Sequence, residues 1–96
     1  MEILVTYDVT TETAEGRRRL RKVAKACQAF GQRVQKSVFE CTLSPAQLER
    51  LKQRLRKAMD EKEDNLRIYH LPEPREKCVE VMGRALAYDL HEPLVV

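Results

Sequence analysis

An amphipathic run that stops at a glycine and hands over to a β-patterned stretch constrains this chain more than any other feature. From about Ala14 to Phe30, the residues Leu20, Val23, Ala24, Cys27 and Phe30 recur at steps of three and four, the period of a helix with one buried stripe. Thr13 is placed to cap it, and Gly31 to end it. From Arg33 to Leu43, Val34 and Val38 fall on one face of a strand pattern, and Phe39, Cys41 and Leu43 fall on the other. That run is long for a single strand, so a kink or bulge is expected near Lys36-Ser37.

The elements on either side complete the outline. Residues 2 to 9 alternate, with Ile3, Val5 and Tyr7 pointing one way and Leu4, Thr6 and Asp8 the other. Apolar residues on both sides at the start fit a central strand covered on both faces. A second helix opens with Ser44 as N-cap, Pro45 in the first turn and Gln47 at the capping-box position. Leu48, Leu51, Leu55 and Met59 give its buried stripe, while its outer face mixes charges of both signs. Asp60 to Asp64 reads as a surface turn without chemistry. Leu66 to Leu71 is a third strand, Pro72-Glu73-Pro74 a turn, and Cys78 to Met82 a fourth strand ended by Gly83.

These elements predict an α+β plait, an antiparallel sheet with both helices on one face. If the Arg33–Leu43 run divides in two, the order becomes that of a ferredoxin-like fold. Residues 1–83 form that domain, and 84–96 a tail whose Leu94-Val95-Val96 could add an edge strand. The sheet face without helices carries Leu4, Val34 or Phe39, and a second copy is the simplest cover for it.

Composition narrows the function classes. Ninety-six residues with a formal charge of +3 make one small, mildly basic domain. Cys27, Cys41 and Cys78 include no C-x-x-C pair, which favours reduced thiols over zinc or a disulfide framework. The start of the chain is a strand pattern rather than a targeting signal, and no apolar run reaches membrane length. A soluble, cytoplasmic protein with no membrane partner is expected.

The charges are unevenly placed. Arg17, Arg18, Arg19, Arg21, Lys22 and Lys25 crowd the first helix, with acids only upstream at Glu12 and Glu15. Several of these cations lie in the helix's first half, where its dipole opposes them. A solvated basic face is one account of this, and a phosphate-facing surface the other, since clustered cations neutralise several backbone charges at once. Asp8, at a strand end, either caps the following turn or, paired with its twin across a twofold axis, supplies two carboxylates to Mg²⁺. Arg33 is an ion-pair residue or a phosphate ligand, and Phe39 a core or dimer-face residue. Neither His70, His91 nor Ser37 has companions that would make it a base, ligand or nucleophile.

Tyr7-Asp8-Val9, Arg19-Leu20-Arg21-Lys22-Val23, the run Gly31-x-Arg33-Val34-Gln35-x-Ser37-Val38-Phe39-Glu40 and Leu66-x-Ile68-Tyr69 together resemble the Cas-two family of CRISPR-associated, nuclease-like proteins. The likeness extends to about Gly83, and the third motif is its specific part. It implies a homodimer of ferredoxin-like subunits joined through their sheet faces, with Asp8 of each subunit holding Mg²⁺ or another divalent metal across the axis. By the same likeness Tyr7, Arg19, Arg21, Arg33 and Phe39 lie near nucleic acid. Arg17, Arg18 and Lys22 join them as candidate nucleic-acid contacts on the crowded helix. The family implies two activities: bridging a CRISPR integrase while holding double-stranded DNA, and metal-dependent cleavage of single-stranded RNA or duplex DNA. A non-catalytic DNA scaffold and a small-molecule-binding regulatory plait remain the alternatives.

Overall fold

The computed structural model describes residues 1–83, so the expected C-terminal tail lies outside the described residues. The elements run β1 (Glu2–Asp8), α1 (Ala14–Phe30), β2 (Gln32–Gln35), β3 (Val38–Thr42), α2 (Pro45–Ala58) and β4 (Asn65–Leu71). One 3₁₀ turn, Arg75–Lys77, follows. The four strands form a sheet in the order β2-β3-β1-β4, with every pairing antiparallel. This is the ferredoxin-like arrangement, because the Arg33–Leu43 run does divide, at Lys36-Ser37.

Local chemistry sets the helix starts. The Thr13 hydroxyl accepts from the Gly16 amide at 2.9 Å. At α2, the Ser44 hydroxyl accepts from the Gln47 amide while the Gln47 side chain accepts from the Ser44 amide, a complete capping box. Each helix then turns its stripe to one face of the sheet. Ile3, Val5, Val23, Cys27, Phe39, Cys41 and Leu51 are fully buried in the resulting core. Cross-strand register stacks Val5 beside Phe39 on one side and Ile68 on the other. β1 is central, as expected, but among the described residues α1 and α2 meet only one of its faces.

Two expectations need correcting, and one alternative is decided. Phe39 is the core residue of its two readings: it lies on the helix-covered face, opposite Val5, and not on the open one. Pairing with β1 fixes the side on which each β3 residue emerges, and the open face instead carries Leu4, Val38 and Tyr69. A bulge between Arg33 and Gln35 shifts the β2–β3 register at Val34. Cys78–Met82 is not a strand. After the Pro72–Pro74 turn the chain crosses the open face, where Arg75 Nη1 donates to Glu2 Oε1 at 2.8 Å and Arg75 Nε lies 3.4 Å from Glu40 Oε1. The next residues therefore leave the sheet edge and find no ladder partner among the described residues, with Val81 and Met82 exposed.

Gly31 ends α1 for a steric reason. Its backbone is extended, a conformation open to any residue. A Cβ there, however, would stand 2.6 Å from the Glu40 carbonyl oxygen and against Cys41 Sγ. Both cysteines nearby are sealed: burial pushes the Cys27 thiol up to about 12 and the Cys41 thiol up to about 11, so both stay protonated and unreactive. Gly31→Ala must push β3 away from α1, and is expected to lower stability by roughly 1–3 kcal/mol in urea unfolding.

Candidate nucleic-acid and metal site

β1 carries two functional candidates side by side in sequence, and the alternation of a strand sends them to opposite faces. Tyr7 is buried on the helix side, whereas Asp8 is exposed on the open face, level with Asn65 of β4. Asp8 is thus a carboxylate at the rim of the sheet, free of the core.

Behind β1, Tyr7 stacks on Phe39 with ring centroids 6.2 Å apart and planes 23° from parallel. The Arg33 guanidinium carbon sits 5.1 Å from the centre of the Phe39 ring, within cation–π range. The Tyr7 amide donates to the Ser37 carbonyl at 3.1 Å, and its hydroxyl lies 3.5 Å from the Lys36 carbonyl. Burial raises the Tyr7 pKa, against a hydrogen bond from Arg33 that lowers it. The net rise keeps the phenol protonated at neutral pH, so Tyr7 is no general base. Tyr7, Arg21, Arg33, Lys36 and Ser37 line a groove of about 370 Å³ between α1 and the β2–β3 hairpin, floored by Leu20 and Ala24. Phe39 reaches no surface in the single chain. Its part is to support Arg33 from below.

The α1 cations do not act as one set. Arg21 faces that groove. Arg17 donates to the Thr11 carbonyl at 3.1 Å and tightens the turn before the helix. Arg18 and Lys22 are exposed toward α2. Arg19 instead binds Asp64, with Nε 2.8 Å from Oδ2 and Nη2 3.3 Å from Oδ1. The Asp64 side chain is only 1 % exposed, and it also accepts from the Thr10 amide at 3.3 Å and the Asp60 amide at 2.9 Å. The Thr10 hydroxyl donates to the neighbouring Glu63 carbonyl at 2.9 Å. One carboxylate therefore ties together the loop leaving β1, helix α1 and the end of α2. Thr10 lies two residues beyond Asp8, so this clamp fixes the strand end that presents the exposed carboxylate. From sequence alone, Asp64 falls in the segment that reads as a surface turn. Its only local signal is its place at the end of an acidic run next to a strand.

A family model described as CRISPR associated protein Cas2 matches residues 1–78. The chain belongs to this family. A CRISPR-associated endoribonuclease Cas2 of Moorella thermoacetica is 57% identical over 96 residues, covering 100% of both chains. A CRISPR-associated endonuclease Cas2 of Halalkalibacterium halodurans is 50% identical over 95 residues, covering 99% of each. The crystal structure of Streptococcus pyogenes Cas2 at pH 6.5 superposes with a TM-score of 0.78 at 53% identity, covering 86% of this chain and 100% of that one. Membership in the Cas2 family agrees with the resemblance carried by the Arg33–Glu40 motif. Among the described residues no helix is long and apolar enough to cross a membrane.

For this Cas2-family chain, the clamp makes a measurable claim. Burial works to raise the Asp64 pKa, but the Arg19 hydrogen bonds and the two amides outweigh it, and the carboxyl titrates below its ordinary 3.8. A lowered folded-state pKa gives a stabilisation that is complete above about pH 5 and fades as pH falls through the folded value. Asp64→Ala is expected to cost about 2–3 kcal/mol at neutral pH, since it strands two amides and a guanidinium. Urea unfolding should show the gap between wild type and variant closing as the pH is lowered through the acid range.

Proposed function

We propose that the chain pairs with a second copy through its open sheet face, and that the pair bridges a CRISPR integrase while holding duplex DNA for spacer acquisition. Phosphodiester hydrolysis at the paired Asp8 residues accompanies that role. The observation carrying this reading is the position of Asp8, exposed at the end of β1 on the sheet face that, among the described residues, neither α1 nor α2 covers. Leu4, Val38 and Leu71 are half-buried on that face, and Tyr69 is 43% exposed. Such a surface favours a self-complementary, twofold contact. The names of the relatives, endoribonuclease and endonuclease, support the hydrolytic part.

The donor chemistry fits a hard divalent cation in one respect and requires a partner in another. Asp8 offers hard oxygen donors with open solvent in front of them, as Mg²⁺ prefers. It belongs to no group of three or more potential ligands among the described residues. A second Asp8 across the axis would give the two carboxylates that a Mg²⁺ site commonly uses, with waters and phosphate oxygens completing the shell. When bound there, the ion would polarise a phosphoryl oxygen and lower the pKa of an attacking water. The chain's own part is to aim Asp8 through the Asp64 clamp and to hold phosphates by exposed cations. Those contacts are sequence-independent. Neither Tyr7, protonated, nor Arg33, packed on Phe39, supplies a base, so holding without cutting is the second reading.

Asp8→Asn separates the two. It keeps the shape and removes the charge, so Mg²⁺-dependent cleavage of single-stranded RNA and duplex DNA should fall at least ~100-fold while DNA binding is retained. Cleavage that survives in the variant with Mg²⁺ present would show the metal assignment to be wrong. If the wild type does not cleave either substrate yet supports integration, the holding role stands alone.

A further inference from the structure

Helix α2 brings cations to α1 in a way the charge pattern of either helix alone does not reveal. Lys22 and Lys25 of α1 and Arg54 and Lys57 of α2 line one groove of about 230 Å³, with Ala58 as its remaining wall. No carboxylate lines it, and among the described residues none of the four cations is in an ion pair. All four side chains are exposed. An adjoining groove shares Lys22 and Lys57 and continues the row to Arg18 and Arg19, before Glu15 and Asp60 close it. The positions repeat on the two helices: Arg18, Lys22, Lys25 and Arg50, Arg54, Lys57 each step by four and then three. Like charges so spaced lie on one face of each helix and repel one another. Only Lys57, in the last turn of α2, is favoured by a helix dipole; the rest of the placement adds repulsion within each helix, and apposing the two rows adds more.

We infer that the cleft between α1 and α2 is a phosphate track that takes the backbone of duplex DNA. This rests on the nucleic-acid-holding role proposed above, and it places the grip on the helical side of the sheet, away from Asp8. Each row spans about 10 Å of helix, at 1.5 Å per residue. A duplex carries one negative charge per roughly 1.7 Å of axis, so a row this long meets several phosphates together. The lining holds no aromatic side chain. Single-stranded nucleic acid is commonly gripped by stacking its bases on aromatic rings, and nothing in this cleft offers that. A rigid, regularly charged double helix is the ligand that a cation row without a stacking surface suits.

The test is a salt titration of binding to a fluorescently labelled duplex DNA and, in parallel, to a labelled single-stranded RNA, read by anisotropy, for the wild type and Arg54→Ala/Lys57→Ala. A second variant, Arg56→Ala/Lys62→Ala, removes the same net charge elsewhere, and Arg54→Lys/Lys57→Arg restores charge at the cleft. Matched melting curves confirm that all are folded. The cleft variant should bind roughly 10- to 100-fold more weakly at moderate salt, with the slope of log K against log salt smaller by about 2. The charge-restoring variant should bind like the wild type, and the remote variant should lose less than the cleft variant. Equal losses in the cleft and remote variants would reduce the effect to bulk charge and overturn the inference, as would an unaffected cleft variant. A loss confined to single-stranded RNA would overturn the duplex assignment. A wild type that binds no DNA at all would instead refute the holding role itself.

Discussion

The carboxylate of Asp64 is the interaction on which this architecture turns. It is almost wholly withdrawn from water, and burial alone would penalise its charge. Four donor contacts from Arg19, Thr10 and Asp60 offset that penalty. They come from three segments: the exit of β1, helix α1 and the end of α2. A buried charge held this way has little tolerance for rearrangement, since losing any one partner leaves a desolvated group unmatched. The ladder with β4 carries Asp8 to the end of β1, and the Asp64 clamp holds the loop that follows it.

The same clamp explains why the basic helix is not a uniform surface. Arg19 is spent on structure, Arg17 on the turn before the helix, and Arg21 on the hairpin groove with Arg33. The cations left facing α2 then join those of the second helix. The net formal charge of the chain, +3, conceals this segregation. The sheet separates two environments as well, a cation-rich helical side and an open face bearing Asp8. On the function proposed above, holding a polyanion and binding a metal would fall on different sides.

What was legible in the sequence was local. The caps at Thr13 and Ser44 depend on residues three positions away, and the helical stripes on steps of three and four, so both can be read directly. The Arg33–Glu40 motif was specific enough to point to the family. Features that depend on distant pairing were not legible. Asp64 and Arg19 are 45 positions apart, and nothing in an acidic turn marks one member as buried. The face occupied by Phe39 depends on its register with β1, and a bulge in β2 upsets simple counting through that hairpin. Cys78–Met82 has strand-forming residues but, among the described residues, no neighbour to pair with, and the Arg75 contacts draw the preceding chain over the sheet. Composition describes what a segment favours, while pairing decides what it becomes.

The adjacency of Tyr7 and Asp8 gives β1 a form of error-checking. Sliding the strand by one residue against β3 and β4 would exchange the faces of every side chain on it. Asp8 would be driven toward the apolar core without a counter-ion, and Tyr7 would lose Phe39. An ionised group and a large aromatic placed next to each other thus make the wrong alignment costly from both directions. The carboxylate proposed to serve chemistry on the open face would, by this argument, also act during folding as the mark that tells the central strand which way it faces.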